Sequence, residues 1–241
     1  MVHFADLRPL LARVERILLP GECLLCLEPV AARDDDALVC GLCRARWQRI
    51  PPPWCARCGG PIERDEPCTA CTAWPPGLAR ARSAVWLDDA ARRAVHHLKY
   101  DGWWRVADAM ALVMRGLEPL TGELSLIPIP LGSRRFRKRG YNQSERIAAA
   151  LARRSGVPLR DVLRRVRETP SQTALTPEQR AANVAGAFLA AAPLRGRCVL
   201  VDDVFTTGAT LLAAAAALEA AGADQVDAVT FARARNVVGQ D

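Results

Sequence analysis

Val199-Leu200-Val201-Asp202-Asp203-Val204-Phe205-Thr206-Thr207-Gly208-Ala209-Thr210 is the stretch on which the reading of this 241-residue chain turns. Three apolar strand formers run into two acids and then into a hydroxyl-rich loop that opens a helix. Backbone N–H groups, threonine hydroxyls and the positive end of a helix suit a phosphate. Gly208 lets the backbone come close to it. Two carboxylates at a strand tip suit the hydroxyls of a sugar instead, so the segment outlines a site for ribose 5-phosphate. A plain helix cap, Thr206 or Thr207 after a solvated aspartate pair, explains neither the adjacent acids nor three threonines around a glycine.

Working outward, strand and helix patterns alternate. Strands are expected at Ser83–Leu87, Leu124–Ile129, Arg197–Val201 and Val226–Phe231, and helices at Asp88–Lys99, Trp103–Leu117, Ser144–Arg154 and Gly208–Ala221. This is the pattern of an α/β fold with a mainly parallel sheet and flanking helices. Ligands of such sheets sit beyond the carboxyl ends of the strands. That rule directs attention to the turns after Leu124–Ile129 and after Val199–Val201. Cys198, at the start of an apolar run, reads as a core residue.

Upstream of Gly77 the composition differs. Eight of nine cysteines form four Cys-x-x-Cys pairs: Cys23/Cys26, Cys40/Cys43, Cys55/Cys58 and Cys68/Cys71. Two such knuckles make a tetrahedral thiolate site for zinc, so two structural zinc ions are expected, with no coordination position left for water. Pairing in chain order is favoured over an interleaved arrangement. Disulfides fit poorly, since no export signal precedes the cysteines. Residues 21–76 are rich in Pro and Gly and too short for a core of their own, so metal has to organise this Cys-rich zinc-ribbon module. Residues 1–20, with Leu7, Leu10, Leu11, Val14, Ile17 and Leu18 at helical spacing, read as an amphipathic helix. Residues 77–241 form the α/β domain.

With half of its residues hydrophobic, the chain can bury a sizeable core. Its longest alanine-rich run, Leu211 to Ala223, carries Glu219 and is shorter than the ~20 residues that cross a bilayer. No membrane insertion and a cytoplasmic location are expected. A formal net charge of +7 favours anionic ligands, phosphates and nucleic acid alike. Only two of the 33 basic residues are lysine, Lys99 and Lys138, a bias of the kind that base composition produces. Each lies inside a motif, where a compact point charge differs from a guanidinium. His96 and His97 read as helix-surface or packing residues, and Trp103 and Trp104 as core.

The quoted stretch resembles, at every position, the phosphoribosyl pyrophosphate (PRPP) motif of type I phosphoribosyltransferases. The resemblance implies that Asp202 and Asp203 hold the ribose hydroxyls while Thr206, Thr207, Gly208, Ala209 and Thr210 cradle the 5′-phosphate, with Mg²⁺ accompanying PRPP. Three further segments narrow the likeness. They are His97-Leu98-Lys99-Tyr100-Asp101-Gly102; Ile127-Pro128-Ile129-Pro130 with Arg134, Arg135, Arg137, Lys138, Arg139, Gly140, Tyr141, Asn142 and Gln143; and Arg167-x-Thr169-x-x-Gln172 continuing to Arg180, Asn183, Ala187 and Phe188. Together with the tandem knuckles they resemble the ComF family of competence-associated, phosphoribosyltransferase-like proteins, over about residues 20–233. That likeness implies a protein linked to DNA uptake in natural transformation. It places Arg134, Arg135, Lys138 and Arg139 in the loop for pyrophosphate, and Arg167 and Gln172 in the flexible loop that closes over substrate. Transfer to a nucleobase-type acceptor is one expected activity. The alternative is a non-catalytic module that senses PRPP or grips single-stranded DNA, in company with DNA-uptake proteins.

Overall fold

In the computed structural model the described residues are 21–30, 38–62, 68–167 and 186–235. The expected amphipathic helix at 1–20 and most of the expected flexible loop, with Gln172, lie outside them. The sheet has four parallel strands in the order β1 (Leu78–Trp86), β6 (Gln225–Arg233), β5 (Arg197–Phe205), β2 (Ser125–Pro128). Parallel strands need crossovers, which here are helical. Helix α1 (Gly41–Ala45) belongs to the cysteine-rich part, α2 (Asp89–Tyr100) and α3 (Val106–Met114) lie between β1 and β2, α5 (Gln143–Ser155) follows β2, and α6 (Ala209–Ala220) joins β5 to β6.

Alternation along the strands sorts side chains into two layers, because successive residues face opposite sides of a sheet. Val199, Val201, Val229 and Phe231 pack with α2, α3 and α5. Cys198, Leu200, Val226 and Ala228 pack with α6 and with a small antiparallel hairpin, β3 (Leu163–Arg165) and β4 (Phe188–Ala190). Cys198 is a core residue, as expected. Helix α2 starts where the Asp88 carboxylate accepts the Ala91 N–H at 2.9 Å, and α5 where Asn142 Oδ1 accepts the Ser144 N–H at 3.1 Å. Both are side-chain N-caps that satisfy donors the helix itself cannot.

Four details differ from the sequence reading. Strand β5 runs on through the acidic pair to Phe205, because Asp202 pairs with Thr230 and Phe205 with Arg233 across β6. Ladder pairing here overrides the low strand propensity of aspartate. The basic segment expected as a loop is a short helix, α4 (Ser133–Arg139), stopped by Gly140 at φ +80°. The segment expected as one helix over Trp103–Leu117 shortens to α3, and a separate 3₁₀ turn, Glu118–Leu120, follows it. Trp103 and Trp104 are exposed rather than core.

The cysteine-rich part is fused to the sheet. Trp47 is buried edge-on against Phe231 with ring centroids 4.8 Å apart, inside the same apolar cluster as Val85, Val199 and Met110. Gln48 O accepts the Trp86 N–H at 2.8 Å, and Arg57 O accepts the Ala81 N–H at 2.7 Å. At the opposite end from the acidic pair, fully buried Asp227 is held by Arg80 (3.2 Å) and Arg197 (2.7 Å), with Gln225 donating at 2.8 Å.

Candidate functional site

Asp202 and Asp203 lie near the carboxyl end of β5, beside the first turn of α5. Ser144 Oγ donates to Asp202 Oδ1 at 2.7 Å, and the Asp203 N–H donates to the same oxygen at 2.9 Å. Gln143 Nε2 donates to Asp203 Oδ1 at 3.2 Å, while the Lys99 ammonium, from the last turn of α2, pairs with Oδ2. Asp203 is buried and Asp202 half-buried. Burial, then the neighbouring charge of Asp203, push the Asp202 carboxyl up to about 7, against the pull of Ser144 and Lys99. Burial also works against ionised Asp203, but Lys99, then hydrogen bonds from Asp202 and Gln143, hold its carboxyl below the usual range. Lys99 in turn stays charged above the ordinary lysine range, because Asp203 outweighs its own burial. At neutral pH the pair thus carries one firm negative charge and one that is easily neutralised, a split that adjacent carboxylates commonly show.

The basic helix reaches this pair through Arg139. Arg139 donates to Gln143 Oε1, so the Gln143 amide has its carbonyl toward α4 and its N–H toward Asp203. The same guanidinium lies 5.6 Å from the centre of the Tyr100 ring. Arg134 and Lys138 are exposed and Arg135 half-buried on α4. Arg167 is exposed just past β3.

The loop after β5 meets the requirements of an anion cradle. Gly208 caps α6 in the left-handed region, φ +82°. A Cβ there would stand 3.0 Å from the Phe205 ring and 3.1 Å from the Trp74 ring, so glycine is demanded by angle and by space. The N–H groups of the first turn have no partners within the helix, which is the usual reason anions settle there. Thr206 is exposed, Thr207 and Thr210 half-buried, and Ala209 buried.

The cysteines come together in chain order, Cys23/Cys26/Cys40/Cys43 and Cys55/Cys58/Cys68/Cys71. Within each quartet the sulfurs lie within 4.8 Å of one another. Separations of 3.8 Å (Cys26–Cys40), 3.5 Å (Cys55–Cys71) and 3.6 Å (Cys58–Cys68) are far too long for disulfides and close to the edges of a zinc–thiolate tetrahedron. Backbone N–H groups donate to sulfur in both, Cys40 to Cys23 Sγ at 3.4 Å and Cys58 to Cys55 Sγ at 3.5 Å. Burial opposes ionisation of Cys23 and Cys55, but these backbone donors bring each down to about 7. Four thiolates apiece are consistent with two structural zinc ions.

A phosphoribosyl transferase domain model matches residues 141–238, and a double zinc ribbon domain model matches residues 14–72. The DNA utilization protein YhgH of Salmonella typhimurium is 33% identical over 206 residues, covering 81% of this chain and 89% of the relative. The chain belongs to the ComF family. Competence protein ComFC of Streptococcus pneumoniae is 25% identical over 224 residues, covering 88% of this chain and 100% of the relative. Competence protein F of Haemophilus influenzae is 29% identical over 210 residues, covering 80% and 91%. A solved structure, orotate phosphoribosyltransferase from Aeropyrum pernix, is 24% identical over 64% of this chain and 70% of its own, with a TM-score of 0.34.

In this ComF chain only some of the residues singled out from sequence come together. Asp202, Asp203 and Thr206–Thr210 lie in one continuous stretch, which Arg139 reaches through Gln143. Arg134, Arg135 and Lys138 share α4 with Arg139. Lys99, Gln143 and Ser144 meet the acidic pair, contacts that the motif likeness alone did not assign. Of these Lys99 carried a signal, as one of two lysines in an arginine-rich chain, while Gln143 and Ser144 are identified only once α5 is seen against β5. His96 and His97 both share Asp101 Oδ2, at 3.1 and 2.8 Å, on the surface of the molecule. Among the described residues no helix is long and apolar enough to cross a membrane.

Proposed function

We propose that this protein binds PRPP with Mg²⁺ at the end of β5 and transfers its phosphoribosyl group to a nucleobase-type acceptor, in the service of DNA uptake or use. The observation that carries the reading is the continuity of the buried acidic pair with the glycine-capped cradle of α6. One part accepts hydrogen bonds from a diol and the other donates to a phosphate, and the two follow one another directly in the chain. The names of the relatives, DNA utilization and competence proteins, support the cellular setting.

Asp202 and Asp203 would accept from the ribose 2′ and 3′ hydroxyls, and Thr206–Thr210 would donate to the 5′-phosphate. Mg²⁺ takes oxygen ligands, which the acidic pair and the diphosphate both offer, and when bound it supplies charge neutralisation. Arg139 and its neighbours on α4 face the charge that builds on departing pyrophosphate. As the bond from the anomeric carbon to pyrophosphate breaks and a bond to the acceptor nitrogen forms, positive charge develops on the ribose. Asp202 and Asp203 lie where that charge is stabilised, so positioning and electrostatics carry the chemistry. Lys99 keeps Asp203 ionised, and a diol that donates to Asp203 would share its carboxylate with Lys99.

A second reading is favoured by a specific surface. Tyr100, Trp103, Trp104 and Phe136 are all exposed, and Arg146 stacks over Trp104 at 4.8 Å while Arg139 covers Tyr100. Aromatic rings with guanidinium partners are the usual platform for single-stranded nucleic acid.

The deciding experiment is calorimetric titration of the zinc-loaded protein with PRPP and Mg²⁺, repeated with Asp202→Asn/Asp203→Asn. Saturable binding that disappears in the double variant is expected. Unchanged affinity in that variant would overturn the site. If neither protein binds PRPP while single-stranded DNA binds with a steep salt dependence, the second reading takes precedence.

A further inference from the structure

The second cysteine quartet lies directly behind the phosphate cradle, and two side chains join them. Arg233, at the end of β6, is buried. Its Nη1 donates to Cys58 O at 2.7 Å, its Nη2 lies 3.8 Å from Cys58 Sγ, and the guanidinium covers the Phe205 ring at 4.2 Å. Phe205 is the last residue of β5, immediately before Thr206, and Phe205 O accepts the Ala234 N–H at 2.8 Å. Trp74, just past Cys71, also packs against Phe205, with ring centroids 5.9 Å apart, and closes on Gly208. Arg57, inside the Cys55-x-x-Cys58 turn, fixes this exit by donating to Trp74 O at 3.2 Å and Pro75 O at 2.6 Å, and its guanidinium lies 5.7 Å from the Trp74 ring.

The close approach is built into the backbone. Gly59 has φ +67°, and a Cβ on it would fall 2.5 Å from Ala81 O; one on Gly60 would fall 2.9 Å from Arg233 Nη2. Arg82 adds a donation to Ala56 O at 2.9 Å. Among the described residues the first quartet makes no comparable contact with the cradle. Its sulfurs pack with Trp47 and Val85 in the apolar layer of α2, α3 and α5.

We propose that the second quartet is a positioning element of the phosphate site. Through Arg233 and Trp74 its metal-held knuckle sets the place of Phe205 and Gly208, so that release of metal from this quartet, and not from the first, weakens the hold on a phosphorylated ribose. The ligand in this statement rests on the proposed function; the mechanical coupling does not. A metal-dependent cradle ties ligand affinity to zinc occupancy, although no zinc ligand touches the ligand.

The test uses the full zinc-loaded chain and Cys68→Ser, Cys26→Ser, Arg233→Met, Trp74→Ala and Trp74→Phe. Amide exchange across Phe205–Thr210 is measured for each, together with affinity for ribose 5-phosphate and for inorganic pyrophosphate. Faster exchange and an affinity for ribose 5-phosphate lowered about tenfold are expected in Cys68→Ser, Arg233→Met and Trp74→Ala, given the sensitivity of bound geometry to small displacements. Pyrophosphate affinity stays unchanged, Trp74→Phe restores wild-type values, and Cys26→Ser leaves the cradle protected. The proposal is overturned if Cys68→Ser retains only one zinc yet keeps wild-type exchange across the cradle. It is equally overturned if Cys26→Ser loosens the cradle as much as Cys68→Ser does. If exchange responds as expected while the wild type binds no ribose 5-phosphate, the coupling stands and the PRPP reading falls.

Discussion

Asp202→Asn is expected to stabilise this protein while removing its ligand. Burial and the charge of Asp203 push the Asp202 carboxyl up to about 7, from an ordinary 3.8. Between those values the folded protein keeps a proton that the unfolded chain has released. Stability therefore falls as pH rises through this window, and above it the folded state bears the full cost of the second charge. The gap corresponds to roughly 4 kcal/mol, and half-burial with water access reduces the expectation to about 2 kcal/mol. Asparagine keeps Oδ1 as acceptor for both Ser144 Oγ and the Asp203 N–H, so little else is lost. Urea denaturation of wild type and variant, both zinc-loaded, at about pH 8 and about pH 5.5 separates this effect from the acid sensitivity of the thiolates, since only the difference between the two proteins is read. The variant should be the more stable at the higher pH by about 2 kcal/mol, and the advantage should shrink to about half of that at the lower, which lies midway between 3.8 and about 7. A variant less stable than wild type at the higher pH, or an advantage that does not change with pH, would refute the reasoning.

Lys99→Met should cost about 3 kcal/mol near neutrality, because it leaves buried Asp203 ionised without its partner. Asp203, held below the usual range, contributes stability that is lost as pH falls through its folded pKa, so the deficit of this variant should narrow on acidification, as denaturation at two pH values would show. Gly208→Ala places a Cβ in the left-handed region against two rings, and a loss of about 2 kcal/mol in denaturation is expected, with weaker binding of ribose 5-phosphate. Asp227→Asn removes the charge that Arg80 and Arg197 share at a fully buried position, and should lower stability by about 3 kcal/mol without altering PRPP affinity in calorimetry. Elemental analysis of the purified chain should find two zinc ions, and a strong chelator should lower the melting temperature by exposing Trp47, seen as a red shift in its fluorescence.

Much of this architecture is legible in the chain because two signals are local. A Cys-x-x-Cys turn brings its own two ligands together, and β5 with its loop sets acids, threonines and glycine in one continuous run. What could not be read depends on distant packing. That Lys99 meets Asp203 requires the end of α2 to lie over β5, and that Gln143 and Ser144 meet the pair requires the N-terminus of α5 to abut the same strand. The extension of β5 through Asp202 and Asp203 depends on β6, whose Thr230 and Arg233 supply the pairing. Trp103 and Trp104 read as core by their chemistry alone, and only the turn between α2 and α3 reveals that they face outward.

Both borders of the four-stranded sheet are closed by main chain from elsewhere. On one side Gln48 and Arg57 occupy hydrogen-bonding positions of β1, and on the other the Pro158 carbonyl and Arg160 N–H occupy those of Leu126 in β2. An open strand is a template for any other extended chain, so these borders act as selvedges against fraying into aggregates. The cysteine-rich segment therefore does for solubility what a covering helix does in other sheets. A fragment beginning at Gly77 would have its longest border strand bare, and it should self-associate at concentrations where the whole chain stays monodisperse.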